Sequence, residues 1–373
     1  MKNILITGGA GFIGYELSKK LINKGFQVTI LDNLSKKVHF NDSRYHALKD
    51  IANFIIGNVC SREDWVKAII DQDAIVHLAS ETGTGESMYE IYNYTNVNIC
   101  STALMLDVLK NNEHNVKKIV LSSSRSVYGE GKYKSSDNNI LFPKSRKISD
   151  LDQAVYDLKC SSFSKDLMPL PTDEDSDLNP SSIYSLTKYN QEKMLQLVCD
   201  NIDIQPIILR YQNVYGPGQS LSNPYTGILS IFSTRILNQN DIEVYEDGLQ
   251  SRDFIFIDDV VEATCLALFS NKLRYSVYNI GTGHPQTVLS VAEKLKNLFK
   301  SDIKINISNR YRIGDIRHNF ADVSRLGSDL NFSPRVAFDE GLERFVKWVQ
   351  SQNIQKDLYD TSVDTLHKKG LIR

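Results

Sequence analysis

The stretch NILITGGAGFIG at residues 3–14 constrains the fold of this chain more than any other feature. It places Gly8, Gly11 and Gly14 directly after an apolar strand and at the start of a helical pattern. In such a loop the first two glycines let the backbone turn and approach a pyrophosphate, and the third lets the helix pack closely on the strand. The helix N-terminus then faces the negative charge. The stretch therefore predicts a strand–loop–helix unit that binds the phosphates of a dinucleotide.

Apolar runs alternate with helical patterns through the first half of the chain. The predicted strands are Asn3–Ile6, Phe26–Leu31, Phe54–Ile56, Ala74–Leu78 and Lys118–Leu121. Strands rich in Ile and Val that are joined by helices are typical of a parallel sheet covered on both faces. We therefore predict an α/β fold: a Rossmann-type doubly wound parallel sheet with a smaller C-terminal substrate-binding lobe.

The predicted domain division is discontinuous. Two later strands, Pro206–Arg210 and Arg252–Ile257, resemble returns to the same sheet, whereas the segments between and after them are more polar and irregular. The predicted boundaries are 1–210 for the dinucleotide-binding domain with an insertion at 131–172, 252–279 for its later return, 211–251 and 280–350 for the lobe, and 351–373 for a polar C-terminal tail.

Charge and composition exclude several classes of function. A net charge of -2 gives no sign of a nucleic-acid-binding surface. No apolar stretch approaches the ~18 residues of a membrane span, and Met1 leads directly into a strand, so we expect neither a membrane segment nor a secretory signal. The five cysteines lie far apart and never as Cys-x-x-Cys, as is typical of reduced thiols. We expect a cytoplasmic protein.

Asp32 ends the second predicted strand. A carboxylate there accepts hydrogen bonds from the adenosine ribose and repels a 2′-phosphate, so NAD is favoured over NADP. Lys36 and Lys37 follow as two cations that would soften this preference. Asn58, at the end of the third strand, fits either a hydrogen bond to adenine or a plain turn. The predicted cofactor-binding residues are Gly8, Gly11, Phe12, Ile13, Gly14, Asp32, Asn33, Asn58, Val59, Leu78, Ala79, Ser122, Tyr184 and Lys188.

Tyr184 and Lys188 stand four residues apart in PSSIYSLTKYNQEKML, on one face of a predicted helix. A free tyrosine titrates near pH ~10, and a nearby ammonium group stabilises its phenolate. The phenolate can then take the proton of a sugar hydroxyl while the carbon gives hydride to NAD. The spacing alone is common in amphipathic helices. It gains weight from the glycine loop and from the serine-rich strand end SSSRS at residues 122–126.

These motifs resemble those of the extended short-chain dehydrogenase/reductases, in the nucleotide-sugar epimerase/dehydratase family. The likeness runs through nearly the whole chain, on TGGAGFIG, SSSRSVYG, YSLTK, RYQNVYGPGQ, SRDFIFIDDVVEA, YNIGTG and RIGDIRH. It implies NAD as cofactor, a nucleotide-diphosphate sugar (dTDP- or UDP-linked) as substrate, and a homodimer formed through the Tyr-x-x-x-Lys helix. It implies that Ser124 helps Tyr184 hold the oxidised oxygen, with Ser126 as a second contact.

The same resemblance assigns residues to the nucleotide end of the site. By their positions in the family's motifs, Asn213, Arg252 and Arg312 lie near the diphosphate and Tyr245 lies near the base. Arginines suit that role because they offer fork-shaped donors to phosphate oxygens. Surface salt bridges for the arginines and strand packing for the tyrosine are the alternatives.

The residues after Ser124 separate the reactions of the family. The resemblance implies an Asp-Glu pair there in 4,6-dehydratases, a Glu in decarboxylating members and a Cys in 3,5-epimerases, whereas this chain has Arg125-Ser126. Oxidation and re-reduction at one carbon remain, and they need Ser124, Tyr184, Lys188 and a tightly held NAD. The predicted reaction is therefore 4-epimerisation, and Arg125 receives no role of its own.

Four longer strings are similar to the dTDP-L-rhamnose 4-epimerase branch: ETGTGESMYEIYNYTNVN, SSRSVYGEGKY, PTDEDSDLNPSSIYSLTK and NPYTGILSIFSTRILN. This implies a 6-deoxyhexose nucleotide such as dTDP-L-rhamnose as substrate, dTDP-6-deoxy-L-talose as product, and a sugar pocket lined by Thr82, Thr84 and Ser87, which otherwise form a plain turn. That branch carries a Cys/His-containing insertion suggestive of metal binding. Here the insertion has Cys160 alone and no His, so we predict no metal, and we expect the insertion to border the pocket mouth.

Three other functions stay open. A UDP-hexose 4-epimerase would use the same residues. An NAD(P)-dependent 4-keto-sugar reductase would release its cofactor in each cycle. The third hypothesis is not an enzyme but a non-catalytic NAD-binding regulator, although such proteins often lose the Tyr-Lys pair that this chain keeps.

Overall fold

A seven-stranded parallel sheet organises the chain in the computed structural model, which describes residues 1–38, 43–159, 167–225 and 227–373. The strands are β1 (Asn3–Thr7), β2 (Gln27–Asp32), β3 (Asn53–Ile56), β4 (Ala74–His77), β5 (Lys118–Ser124), β6 (Tyr133–Lys134), β7 (Ile140–Leu141), β8 (Met168–Pro169), β9 (Gln205–Tyr211), β10 (Asn213–Tyr215), β11 (Ile242–Val244), β12 (Ser251–Phe256), β13 (Val277–Ile280), β14 (Pro285–Thr287), β15 (Ile305–Ile307) and β16 (His318–Asn319).

Helices cover both faces of this sheet and build most of the second lobe. They are α1 (Phe12–Asn23), α2 (Ser43–Leu48), α3 (Arg62–Ala68), α4 (Thr84–Ser87), α5 (Ile91–Tyr94), α6 (Ser101–Asn111), α7 (Ile148–Leu151), α8 (Ile183–Cys199), α9 (Ile228–Leu237), α10 (Ile257–Phe269), α11 (Val288–Phe299), α12 (Ser324–Leu330), α13 (Phe338–Gln350) and α14 (Tyr359–Lys368). A π-helical segment, Thr95–Cys100, leads into α6, and a 3₁₀ turn, Arg125–Tyr128, follows β5.

The strand order of the main sheet is β13-β9-β5-β4-β1-β2-β3, with every pair parallel. The chain builds outward from β1 in one direction through β2 and β3, and then in the other direction from β4. Helix-joined parallel strands leave a crevice where the order reverses, outside the carboxyl ends of the strands. The predicted fold class is confirmed, and the crevice lies above β1 and β4.

One predicted return to this sheet is wrong. The strand expected at Arg252–Ile257 forms as β12, but it pairs with β10, β14 and β16 in a second sheet. The main sheet is completed instead by β13, beside β9. All six residues of β12 are buried, and burial on both faces is common to a strand in any covered sheet, so the apolar run could not distinguish the two sheets. Helix α10 does pack against α1, as expected of the main domain.

The insertion forms a small unit of its own against the second lobe. Strands β6, β7 and β8 make an antiparallel sheet, and α7 lies between β7 and β8 in the chain. The guanidinium of Arg146 binds Glu246 through two hydrogen bonds of 2.8 and 2.9 Å, with both side chains 4% exposed. Cys160 and its neighbours to residue 166 lie outside the described residues.

Residues 351–373 do not form a free polar tail. Helix α14 packs into the lobe through Val363 and Leu366, and Ile372 forms a β-bridge with Arg312. The polar residues of this segment alternate with these few apolar ones at helical spacing, and the apolar face is what the lobe covers. The C-terminal segment is therefore part of the lobe.

Surface helices of the chain are amphipathic. Helix α13 buries Leu342, Phe345 and Val349 and turns charged residues such as Lys347 to solvent. Within the described ranges, no helix combines the length and the apolarity that a membrane span requires.

Candidate active site

A cavity of about 410 Å³ lies between the carboxyl edge of the main sheet and the second lobe. Most of the residues predicted to meet substrate line it, together with three from the cofactor set (Ile13, Ser122 and Tyr184). They are Ile13, Thr82, Thr84, Ser122, Ser124, Ser126, Tyr184, Asn213, Tyr245, Arg252 and Arg312. The tertiary structure therefore brings together residues that the sequence spreads over three hundred positions.

The first turn of α8 fixes the orientation of Tyr184. Ser182 caps the helix and accepts from the backbone N–H of Ser185 at 3.2 Å, while the Ser185 hydroxyl accepts from the backbone N–H of Ser182 at 2.9 Å. This reciprocal box holds the helix start rigidly. Tyr184 lies between the two serines and its side chain enters the cavity.

Lys188 follows one turn later on α8, fully buried behind the cavity wall. Its Nζ atom donates to the backbone carbonyl of Ser122 at 2.9 Å. Burial lowers the pKa of Lys188 to about 7, against the opposing charge of Glu192. Glu192 is itself committed, because it pairs with Arg210 at 2.7 Å and accepts from the hydroxyl of Ser123. The lysine is thus tied to the same strand end that carries the serines.

The cation that acts on Tyr184 in this structure is Arg125. Burial raises the pKa of the Tyr184 phenol, and the Ser124 hydroxyl and the charge of Arg125 act in the opposite direction. Sequence reasoning expected this effect from Lys188 and gave Arg125 no part in the site. Arg125 in fact lines the cavity, in the 3₁₀ turn directly after Ser124. The motif SSSRS did contain a signal for Arg125, because a guanidinium among strand-end hydroxyls points to a polar site.

Ser124 is positioned by its own backbone turn. Its Oγ accepts from the backbone N–H of Ser126 at 3.2 Å, which leaves the hydroxyl proton for an oxygen in the cavity. The Ser126 hydroxyl is buried and has no hydrogen-bond partner within the described part of the chain. Both hydroxyls therefore suit a sugar oxygen near Tyr184.

The glycine loop has the shape that a pyrophosphate requires. Gly8 has φ +67, and a Cβ on it would meet the backbone of Ala79 at 2.9 Å. A Cβ on Gly14 would lie 2.2 Å from the carbonyl oxygen of Gly8. Gly11 caps α1 without any side-chain bond to the first-turn N–H groups, and the first turn has no acidic residue. Backbone donors at this helix end are available for an anion, so the residues present fit a dinucleotide.

Asp32 lies beside this loop, at the end of β2. Its carboxylate accepts from the backbone N–H of Ala10 at 3.0 Å and from that of Leu34 at 2.9 Å. Lys37, expected to soften a preference for NAD, is instead held by Glu86 at 2.5 Å and by Glu81 at 3.0 Å. Its ammonium group has carboxylate partners and is not offered to a 2′-phosphate.

The remaining cofactor candidates border the same crevice with different local roles. Asn33 accepts from the backbone of Ser35, and Asn58 accepts from the backbone of Cys60, so both side-chain oxygens are used in turns. For Asn58 this was the alternative considered from the sequence. Phe12, Val59, Leu78 and Ala79 complete the set around β1 and β4, with Val59 buried and the others partly buried.

Arg252 and Arg312 differ sharply in how their guanidinium groups are occupied. Arg252 makes four hydrogen bonds, to Asp315 at 2.8 Å and to the backbone carbonyls of Ser251, Ile316 and Arg317. The Nε of Arg312, by contrast, is buried and without a partner among described residues. Arg312 is the better placed of the two to bind an incoming phosphate.

Asp315 is the residue that holds Arg252 in the cavity wall, and sequence reasoning did not single it out. Burial raises its pKa, but the charges of Arg252, Arg312 and Arg146 outweigh that effect and lower the pKa to about 2. The carboxylate therefore stays ionised and paired. Its position three residues after Arg312, within the quoted motif RIGDIRH, was the available signal.

Ser87 is the one predicted sugar residue that the structure turns away. Its hydroxyl donates to the backbone carbonyl of Thr84 at 2.7 Å, and the side chain is fully buried outside the cavity lining. Thr82 and Thr84 do line the cavity. The short helix α4 explains the difference, because Ser87 ends it on the side that faces the protein interior.

Two further cavity residues near Tyr245 were missed. Glu243 shares one face of the chain with Tyr245, two residues on, and both line the cavity. Tyr359 of α14 closes the same wall, and its hydroxyl donates to Glu243 at 3.1 Å. A segment as polar as residues 351–373 carried no signal for this.

The described part of the insertion lines none of the cavity, contrary to the expectation that it borders the pocket mouth. It packs on the outer side of the lobe instead, where Tyr156 donates to the carbonyl of Asn309. Within the described ranges, no group of three or more His, Cys, Asp or Glu residues is arranged to hold a metal ion.

Comparisons with known proteins give one consistent result. The model of the NAD dependent epimerase/dehydratase family matches residues 4–147 and 152–281. The dTDP-L-rhamnose 4-epimerase of Burkholderia thailandensis is 34% identical over 358 residues, which cover 95% of this chain and 97% of that protein.

Solved structures with the same fold include two sugar-nucleotide complexes. The UDP-N-acetylglucosamine 4-epimerase of Methanobrevibacter ruminantium, in complex with UDP-N-acetylmuramic acid, superposes with a TM-score of 0.76 at 30% identity, over 94% of this chain and 99% of that one. The UDP-glucuronic acid 4-epimerase of Bacillus cereus, with UDP-glucuronic acid and NAD, superposes with a TM-score of 0.75 at 26% identity, over 93% and 99%.

Proposed function

The chain belongs to the NAD-dependent epimerase/dehydratase family as a nucleotide-sugar epimerase, and we propose that its substrate is a 6-deoxyhexose nucleotide such as dTDP-L-rhamnose, which it converts to dTDP-6-deoxy-L-talose. The substrate proposal is supported by the 34% identity to the Burkholderia thailandensis enzyme over nearly the full length of both chains. The UDP-linked ligands of the solved relatives make a UDP-hexose the alternative.

The single observation that supports 4-epimerisation is that the carboxylates lining the cavity are already engaged by other side chains. Its lining within the described residues contains two carboxylates, Glu243 and Asp315. Asp315 is paired with Arg252, and Glu243 accepts from Tyr359. Elimination of a hydroxyl needs a general acid that is free to give a proton. Neither carboxylate is free, which favours a reaction that only oxidises and re-reduces one carbon.

Tyr184 and Ser124 supply the acid–base chemistry in this proposal. The Tyr184 phenolate takes the proton from the C4 hydroxyl of the sugar and later returns it to the same oxygen. The Ser124 hydroxyl donates to that oxygen while it is a carbonyl. Lys188, bound to the Ser122 carbonyl, keeps α8 and the strand end in register, so that the two catalytic hydroxyls converge.

NAD fits the crevice beside these residues, and when bound it accepts the C4 hydride and gives it back to the other face. Gly8, Gly11 and Gly14 would hold its pyrophosphate at the start of α1, and Asp32 its adenosine ribose. Ile13 lines the catalytic cavity from the same helix, which supports a cofactor crevice and a sugar cavity that lie side by side.

We also propose a homodimer formed through α8. Leu186 and Leu197 are about three helical turns apart and thus on one face. They are 43% and 72% exposed, and Tyr92 on the neighbouring α5 is 82% exposed. An extended exposed apolar patch marks an interaction surface, and we infer that these side chains form one.

The function is tested on the purified protein without added cofactor. Mass spectrometry of the denatured protein should detect bound NAD, and incubation with dTDP-, UDP- and GDP-sugars should yield C4 epimers of one of them. Tyr184→Phe should reduce that turnover by at least about 100-fold. Tyr275→Phe, on the surface and away from the cavity, is the matched control and should leave turnover unchanged.

Other outcomes would redirect the proposal. Stoichiometric consumption of added NADH with a 4-keto sugar would make the chain a reductase. Bound NAD without turnover on any nucleotide sugar would make it a regulator. Substantial turnover by Tyr184→Phe would show that the catalytic assignment is wrong.

A further inference from the structure

Arg125 is a guanidinium without an ion-pair partner among the residues that the structure describes. Its Nε donates to the side-chain oxygen of Asn213 at 2.9 Å, and this is its one hydrogen bond to the described residues. No described carboxylate forms an ion pair with it, whereas Arg146, Arg210 and Arg317 are each paired with buried carboxylates. A partly buried charge that lacks a partner is costly, so a ligand anion is the expected complement.

The anchor at Asn213 determines which edge of the guanidinium is available. With Nε engaged by the protein, the two terminal nitrogens have no hydrogen-bond partner among the described residues, and the side chain lines the cavity together with Ser124 and Tyr184. Two parallel N–H donors of this kind match two oxygens of one phosphate group. A hydroxyl of a neutral sugar would satisfy the geometry but not the charge.

The neighbouring charges support an anionic ligand. Burial lowers the pKa of Arg125 to about 9, and the like charge of Arg252 acts in the same direction, while Asp315 and Tyr184 oppose them. A phosphate bound here would neutralise the excess positive charge. Arg252 is less suited to that task, because four hydrogen bonds to the protein already occupy its guanidinium.

We propose that Arg125, held by Asn213, binds the phosphate group next to the sugar in the nucleotide-diphosphate substrate. The proposal rests on the proposed function and deepens it. Since Arg125 directly follows Ser124, a phosphate bound to it fixes one end of the sugar beside the catalytic hydroxyls. The sugar can then turn about that fixed end and present both faces of C4 to one Tyr184.

The test separates the second phosphate from the rest of the nucleotide. The protein as purified, with its cofactor, is titrated by calorimetry with dTDP and dTMP and with UDP and UMP. Arg125→Met should weaken binding of the preferred diphosphate by about 10- to 100-fold, as for loss of a charge-assisted hydrogen-bonded pair. Binding of the matching monophosphate should change by less than about 2-fold, because its phosphate lies one position further from the sugar.

Two variants control for charge and folding. Arg62→Met removes an exposed arginine that pairs with Asp107 on the surface, and it should bind all four nucleotides as the wild type does. Arg125→Lys keeps the charge without the fork, and it should recover part of the diphosphate affinity. If thermal unfolding shows that Arg125→Met does not fold, diphosphate binding by Arg125→Lys still tests the proposal.

The outcomes distinguish a failure of the Arg125 proposal from a failure of the proposed epimerase function. Wild-type turnover with unchanged diphosphate binding by Arg125→Met would overturn the proposal and leave the epimerase intact. Equal losses of mono- and diphosphate binding would also overturn it, as would a loss of kcat alone with normal diphosphate affinity. If the wild type itself binds neither dTDP nor UDP, the proposed function fails and the proposal with it.

Discussion

The ammonium group of Lys188 donates to the backbone carbonyl of Ser122, with Nζ and O 2.9 Å apart. This bond joins the helix that carries Tyr184 to the strand that carries Ser124, two residues beyond Ser122. The buried ammonium is costly, however, because it leaves water for a site where the described residues offer it one hydrogen bond, to that carbonyl. We therefore expect that Lys188 serves function and lowers the stability of the fold.

Lys188→Met should therefore stabilise the cofactor-free protein while it abolishes turnover. Burial lowers the pKa of Lys188 from 10.5 to about 7, so between these values the unfolded chain binds a proton that the folded chain does not. Wild-type stability then rises with pH across that window. We expect the variant to be more stable by roughly 1–3 kcal/mol at pH 7 and below, and the difference to shrink toward pH 10.

Urea unfolding of both proteins at several pH values, after removal of NAD, measures this difference. A variant that is less stable than the wild type at pH 6 would show that the bond to Ser122 outweighs the cost of burying the charge.

Gly14→Ala should abolish retention of NAD. The added methyl group would lie 2.2 Å from the carbonyl oxygen of Gly8, so α1 or the loop must move. Gly327→Ala is the matched control, since its methyl group meets nothing closer than 3.6 Å and alanine favours the helix there. The ratio of NAD to protein after purification measures the effect, and normal retention by Gly14→Ala would contradict the assigned role of the loop.

Tyr359→Ala should raise KM for the nucleotide sugar by about 10-fold with little change in kcat, because the side chain lines the cavity but takes no part in the proposed proton transfer. The guanidinium of Arg235 lies 4.5 Å from the centre of the ring and should hold it in place without the hydroxyl. Tyr359→Phe should accordingly behave like the wild type. Steady-state kinetics test both variants, and an unchanged KM for Tyr359→Ala would remove α14 from the site.

Arg146→Ala should lower the free energy of unfolding by about 3 kcal/mol, because it leaves the buried carboxylates of Glu130 and Glu246 without their shared partner. Burial already raises the pKa of Glu130 to about 7, against the charge of Arg146. Arg62→Ala, in an exposed ion pair, should cost less than about 1 kcal/mol. Equal effects of the two substitutions in denaturant unfolding would mean that the insertion is not anchored through Arg146.

Leu197→Glu should convert the protein to a monomer, since a charge on the exposed face of α8 cannot be buried against a second copy. Light scattering after gel filtration measures the mass of each form. Lys347→Glu, on the exposed face of α13 rather than on α8, is the control for added negative charge. A wild-type protein that elutes as a monomer would end the proposal of a dimer through this face.

Local features of the chain were predictable because they depend on neighbours in sequence. The glycine loop, the positions of β1 to β5 and the Tyr-x-x-x-Lys face follow from spacing within a few residues, where glycine conformation, apolar runs and helical period decide the outcome. The family motifs extended this to the cavity, and most residues placed there by motif do line it.

Partners of individual side chains were not predictable in this way, because they come from segments far apart in the chain. Arg125 is anchored by a residue 88 positions away, and Arg252 is occupied by Asp315, 63 positions away. Lys37 meets Glu81 and Glu86 across the crevice. No local pattern records such pairs.

The sequence by itself determined the strands of a Rossmann-type sheet, a dinucleotide loop, and a tyrosine and a lysine on one helix face, since each of these depends on residues that are close together in the chain. The tertiary structure alone decided that β12 belongs to a second sheet, that Ser87 turns inward and that Tyr359 closes the cavity. It also decided that the guanidinium of Arg252 is occupied by the protein, whereas that of Arg125 makes one hydrogen bond to the described residues. Burial and charge pairing depend on which distant segments meet, and that is settled only when the chain packs.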